Sequence, residues 1–190
     1  MKYTVDDIDI YIMTHNRADY LMLSIESLLN QSAGVSKITV LDNESTDNTL
    51  SAVERFSSRG VRYIRTKGFL GNFKKAQEIA SGKYVMLFHD DDILHPLYLE
   101  LALQVLNEKD DISLITTRYT EFFDDDFPGM PESIVPDYYY FEKQKDFFNR
   151  NLIQACSVVI YHYQNFNKII KKFIIKYYKL HLAQTAKRHQ

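Results

Sequence analysis

Tyr84-Val85-Met86-Leu87-Phe88-His89-Asp90-Asp91-Asp92 is the stretch on which the fold turns. Five apolar residues, opened by Gly82-Lys83 and closed by three carboxylates, read as a strand buried on both faces. That pattern belongs to a parallel sheet covered by helices. Three adjacent carboxylates repel one another unless something positive neutralises them. In isolation an acidic triplet is usually a solvated loop. Here it follows a buried strand, at the edge where open α/β sheets bind ligands.

Working outward, the same alternation recurs. Ile8 to Met13 reads as a strand, broken by Thr14-His15-Asn16-Arg17. A helix follows, with Tyr20, Leu21, Leu23, Ile25, Leu28 and Leu29 on its apolar face and Ser24 and Ser27 between them. Ser36 to Leu41 is a second strand, followed by the polar loop Asp42-Asn43-Glu44-Ser45-Thr46-Asp47 and a helix through Leu50, Val53 and Phe56. Val61 to Arg65 is a third strand, and a helix near Phe73 to Ala80 leads into the quoted segment. Downstream, Leu97 to Leu106 reads as a helix, Ile112 to Thr117 as a strand and Leu152 to Tyr161 as a buried segment. Residues 121–140 are irregular and include Asp124-Asp125-Asp126, and Phe166 to Lys187 has helical spacing. The expected fold is an α/β sandwich with a mostly parallel central sheet flanked by helices. The polar clusters at 14–17, 42–47 and 89–92 all follow strands, so they should converge on one crevice.

The chain has 190 residues, 45% of them apolar and 25% charged, enough for one domain with a hydrophobic core. No apolar run reaches the roughly 18 residues of a membrane span. The acidic Met1-Lys2-Tyr3-Thr4-Val5-Asp6-Asp7 lacks a signal-peptide core, so a cytoplasmic protein is expected. Cys156, the single cysteine, has no disulfide partner and no second thiol for a zinc site, and is expected to be a buried structural residue. Charge is unevenly spread. After Asp146 come eight basic residues and no acidic ones, so with −2 overall the first 146 residues carry −10. Ile169, Ile170, Phe173, Ile174, Tyr177, Tyr178 and Leu182 recur among Lys168, Lys171, Lys172, Lys176 and Lys179. This stretch is expected to be a terminal helix with a basic face, with a protein partner or the inner face of an anionic membrane as its functional alternatives. Nucleic acid is not an expected partner, because no recognised module accompanies the lysines.

Gly82 to Pro96, the first strand with Thr14-His15-Asn16-Arg17, the loop Asp42 to Asp47, and Gly68-Phe69-Leu70-Gly71-Asn72-Phe73 with Ala76 and Ala80-Ser81-Gly82 fall in a fixed order. Together they resemble the signatures of family 2 glycosyltransferases of the GT-A fold. The resemblance covers roughly residues 8–118. It implies a GT-A nucleotide-sugar-binding domain over residues 1–166, with 167–190 as a basic amphipathic C-terminal helix.

By position, the resemblance places Thr14 and Asn16 at the nucleotide, Asp42 and Asn43 near base and ribose, and Asp90 toward ribose or diphosphate. Asp91 would ligate Mn2+ or Mg2+, which offsets diphosphate charge as the leaving group departs. Asp92 would position neighbouring groups or orient the acceptor, and is the remaining candidate for a catalytic base. Many relatives carry a second aspartate where this chain has Asn43. Its amide oxygen still accepts a hydrogen bond from a uracil or thymine imide, so a UDP- or dTDP-sugar donor is expected. Glu44 replaces a frequent glycine, with no chemical consequence to assign. The implied acceptor is a glycan or lipid-linked sugar, in cell-surface polysaccharide biosynthesis and with inversion.

Inverting relatives place an acidic base well after the metal motif. Residues 153–166 resemble the strand leading there, yet no acid follows Asp146. Asp124, Asp125 and Asp126 are weaker stand-ins. The alternative is therefore a truncated or partner-dependent donor-binding protein without transferase activity of its own. A sugar-1-phosphate nucleotidyltransferase is disfavoured, because Thr14-His15-Asn16-Arg17 has no glycine to grip a triphosphate. An interaction domain is disfavoured by the ordered polar loops at successive strand ends.

Overall fold

Ile8, Ile10 and Ile12 alternate with Asp9, Tyr11 and Met13 along β1 (Ile8–Thr14), and every residue of this strand is buried. Burial on both faces requires a central place in a sheet. In the computed structural model, which describes residues 2–68, 70–109, 112–116 and 158–162, β1 lies between β2 (Ile38–Asn43) and β4 (Tyr84–His89), parallel to both. β3 (Val61–Thr66) lies outside β2, also parallel. Beyond β4, β6 (Val158–His162) runs antiparallel to it, and β5 (Leu114–Thr116) is antiparallel to β6. The order is β3-β2-β1-β4-β6-β5. The sheet is thus mostly parallel, as expected, with an antiparallel extension on one side.

The period-two alternation of β1 divides the core. Ile8, Ile10 and Ile12 face a large cluster that includes Leu21, Ile25 and Leu28 of α1 (Ala18–Leu29) and Val53 of α2 (Thr49–Glu54). Leu99, Ala102, Leu103 and Leu106 of α4 (Tyr98–Glu108) complete it. Tyr11 and Met13 face the other way, with Leu41, Val85, Leu87 and Ala76 of α3 (Gly71–Ile79). Helices therefore cover both faces. Among the described residues, the strands and helices expected between Ile8 and Thr116 form with boundaries shifted by less than a turn, except that α2 stops early and is followed by a 3-10 turn, Ser57–Arg59; of the expected buried segment Leu152 to Tyr161, the described part is strand. A second 3-10 turn, Val5–Asp7, is capped reciprocally by Thr4 and Asp7 and had no expectation attached.

Where the loop enters β4, Ser81 and Gly82 donate their backbone N–H groups to the buried Asp9 Oδ2 at 2.6 and 2.7 Å. A Cβ on Gly82 would sit 2.7 Å from the backbone oxygen of Asp7, so only glycine fits this close approach. Among the described residues, no helix is long and apolar enough to cross a membrane. Asp124, Asp125, Asp126, Cys156 and the basic stretch from Phe166 onward lie outside the described residues.

Candidate functional site

The chain leaves β1 toward β2 on one side and returns from β3 to β4 on the other. This is the topological switch point at which open α/β sheets form a ligand crevice. Register fixes what lines it: Met13 pairs with His89, and Thr14 with Asp42. Thr14, Asp42, Asn43 and Asp90 therefore stand along one sheet edge, with Asp91 next in the chain.

Asp90 is 4% exposed, and burial pushes its carboxyl above the usual carboxylate range, helped by the charge of Asp91. Thr14 and the Arg17 guanidinium favour the ionised form but offset this only in part. The buried Thr14 hydroxyl lies beside this carboxyl without completing a well-formed hydrogen bond. Arg17 Nη1 lies 3.3 Å from Asp90 Oδ1 and donates a short hydrogen bond to Asp91 Oδ2. Burial works against the Arg17 charge, but the attraction of Asp90 and Asp91 outweighs it and raises its pKa. In the sequence Arg17 is one residue of a polar loop, and its place beside acids 73 and 74 positions away follows from the fold.

The loop carrying these acids is held from α1. Ser24 Oγ, buried, lies 2.9 and 2.7 Å from the carbonyl oxygens of Asp90 and Asp92. Ser27 Oγ accepts from the Leu94 N–H at 3.1 Å. Gln31 donates to His95 O at 2.8 Å and accepts from the Leu99 N–H at 2.9 Å. Ser24 and Ser27 lie on α1, and Gln31 follows the Asn30 C-cap. In the sequence the serines are gaps in an apolar face, and nothing in the periodicity links them to Gln31. Asp92 is half-buried with its Oδ2 enclosed, whereas Asp91 is exposed.

At the end of β2 the Asp42 carboxylate is 1% exposed, with a partner on each oxygen. Its Oδ1 accepts from the Ser45 N–H at 3.0 Å and from the Ser45 hydroxyl, and its Oδ2 accepts from the Tyr63 hydroxyl. Burial and this bond to a carboxylate push the Tyr63 phenol up to about 12. Asn43 Oδ1 is buried with no hydrogen-bond partner, 3.6 Å from where a Cβ on Gly71 would lie. Beside it opens a cavity of about 490 Å³ lined by Glu44, Arg65, Lys67, Lys74 and Lys75 among others.

Asn16, with a left-handed backbone (φ 54°), joins the first loop to the second. Its N–H donates to Ser45 Oγ at 2.8 Å, and its Oδ1 accepts from the Thr46 N–H at 2.7 Å. Asp47 strengthens the seam. Its Oδ2 accepts from the Ala18 N–H at the start of α1 (3.1 Å), and its Oδ1 accepts from the Thr49 N–H at the start of α2 (3.0 Å).

Among the described residues, no three His, Cys, Asp or Glu side chains form a preassembled metal cage. The pair Asp90 and Asp91 still suits a hard cation, since one positive nitrogen already reaches an oxygen of each. Mg2+ and Mn2+ typically take one or two carboxylates and complete their shell with substrate phosphates and water.

The fold has known counterparts. An uncharacterized glycosyltransferase of Methanocaldococcus jannaschii is 29% identical over 173 residues, 87% of this chain and 57% of that protein. The chain thus spans little more than half the length of this relative. Residues 1–349 of Staphylococcus aureus TarS, solved with UDP-GlcNAc, superpose with a TM-score of 0.63 at 18% identity, covering 85% of this chain and 46% of that one. A Pyrobaculum calidifontis mannosyltransferase solved with GDP-Man and Mn2+ gives 0.58 at 14% identity, covering 86% and 46%. The fold is that of GT-A glycosyltransferases. The family model for glycosyl transferase family 2 matches residues 9–178, nearly the whole chain, and the protein belongs to that family.

Proposed function

We propose that this chain binds a nucleoside-diphosphate sugar, UDP- or dTDP-linked, together with Mn2+ or Mg2+, and transfers the sugar with inversion to a glycan or lipid-linked acceptor. The observation that carries the reading is the placement of Asp90 and Asp91 beside Thr14 at the switch point, with two carboxylate oxygens around one positive centre. Asp91 and Asp90 would hold the cation, which when bound neutralises charge developing on the departing diphosphate. Thr14, whose buried hydroxyl lies beside Asp90 without a well-formed hydrogen bond, and Asn43, with its buried Oδ1, are the groups assigned to the nucleotide. Asp42 serves the base and ribose side of this edge. Ser45 and Tyr63 fix its carboxylate in place beside Asn43, and Oδ2, which accepts one hydrogen bond, keeps acceptor capacity toward the nucleotide. Asn16 acts as a loop brace at the nucleotide edge. The location that goes with this reading is cytoplasmic, at the inner membrane face through the basic residues after Phe166.

Calorimetric titration with UDP tests the proposal. Binding should require Mn2+, and Asp91→Ala should weaken it by more than about tenfold, since even outer partners of metal ligands act on that scale. Metal-independent binding, or an Asp91→Ala protein that binds as the wild type does, would remove the basis for the assignment. A second reading is donor binding without independent transfer, with the base supplied from outside residues 147–190, which contain no Asp or Glu. It predicts the same titration and no sugar transfer by this chain unless a partner supplies the base.

A further inference from the structure

Arg17 Nη1 occupies the point where an oxygen of Asp90 and an oxygen of Asp91 meet one positive charge. A divalent cation bridging the same oxygens needs that point, and two cations a few ångströms apart repel. The side chain is free to leave. The Arg17 side chain is 49% exposed and that of Asp91 47%, while Asp90 beneath them is only 6% exposed. The backbone there is fixed independently: Arg17 O accepts from the Leu21 N–H at 2.9 Å, and the adjoining Ala18 N–H is held by Asp47. Departure of the guanidinium requires only rotation of a long side chain.

We propose that Arg17 is the resident counter-cation of this site, and that a divalent metal enters by displacing it from Asp90 and Asp91. The proposal rests on the assignment of Asp91 as a metal ligand. Loading is then an exchange of one cation for another. Without a nucleotide the exchange gains little, because the carboxylates are already neutralised. With a diphosphate present, the displaced guanidinium is no longer needed to balance the acids and the metal has further oxygens to bind. Arg17 in this role sets metal affinity without contacting the reacting atoms.

Electron paramagnetic resonance of free Mn2+, titrated against the protein without nucleotide, reads the exchange directly. Arg17→Ala should bind Mn2+ about three- to tenfold more tightly than wild type, the scale of losing one or two partly exposed ion pairs. Arg17→Lys, which keeps a cation, should stay close to wild type. A purely structural brace predicts the opposite sign, because unbraced carboxylates bind less well; unchanged or weaker binding in Arg17→Ala overturns the proposal. Should Arg17→Ala not fold by circular dichroism, Arg17→Gln gives the same comparison. Asp91→Asn separates the two levels. If it leaves Mn2+ binding intact, the ligand assignment fails and the exchange with it. If it abolishes binding while neither neutral Arg17 variant tightens it, only the exchange fails.

Discussion

Asp47 shows how one exposed side chain can govern two helices. Its carboxylate caps the first turn of α1 and, through Thr49, that of α2. Burial acts against its charge, but these hydrogen bonds outweigh it and hold the carboxyl below its ordinary range. A depressed folded-state pKa contributes stability above the unfolded value of about 3.9, and that stability is lost as pH falls through the folded value. Asp47→Ala should therefore cost about 0.5–2 kcal/mol at neutral pH. In urea melts the gap to wild type should narrow below about pH 4; a gap that stays constant into acid would contradict the capping role. At this scale the sequence was partly legible. The residue types in 14–17, 42–47 and 90–92 announced a polar site, but which atoms face a ligand depends on contacts between distant loops. That Tyr63, 21 positions away, donates to the second oxygen of Asp42 is one such contact.

Among the elements, α1 has two working faces. Leu21, Ile25 and Leu28 pack into the core, while Ser24 and Ser27, joined by Gln31 just past the end of the helix, hold the segment from Asp90 to Leu99. Gln31→Leu would leave the buried Leu99 N–H without its acceptor and remove the donor to His95 O. We expect a loss of about 1–3 kcal/mol in thermal unfolding. Weaker UDP binding in the presence of Mn2+ should accompany it, because the acidic loop would no longer be held. A destabilised variant with unchanged nucleotide affinity would show that α1 supports the fold alone. Strands and helices were readable because apolar periodicity is a local property. The grip of Ser24, Ser27 and Gln31 was not, because serine and glutamine look the same in a sequence whether they meet water or a loop.

For the molecule as a whole, strand order required the coordinates, yet the parallel core was foreseeable from alternation of strand and helix. The late antiparallel β6 was visible only as an apolar run, since nothing local says where such a segment docks. It lies against β4, pairing Phe88 with Val158 and Tyr84 with His162. A chain cut after Lys109 should keep every proposed donor-site residue but leave that strand edge bare. Gel filtration should find it in aggregates rather than as a monomer, because an open apolar edge templates further pairing. A monodisperse fragment would mean that β6 is dispensable. The same pairing sets a clock during biosynthesis. Asp92 leaves the ribosome 70 residues before His162, which at about 5–20 residues per second is roughly 4–14 seconds. For that interval the nascent chain holds its acids and its two flanking loops but has no partner for the edge of β4. Shielding by chaperones would matter most in those seconds.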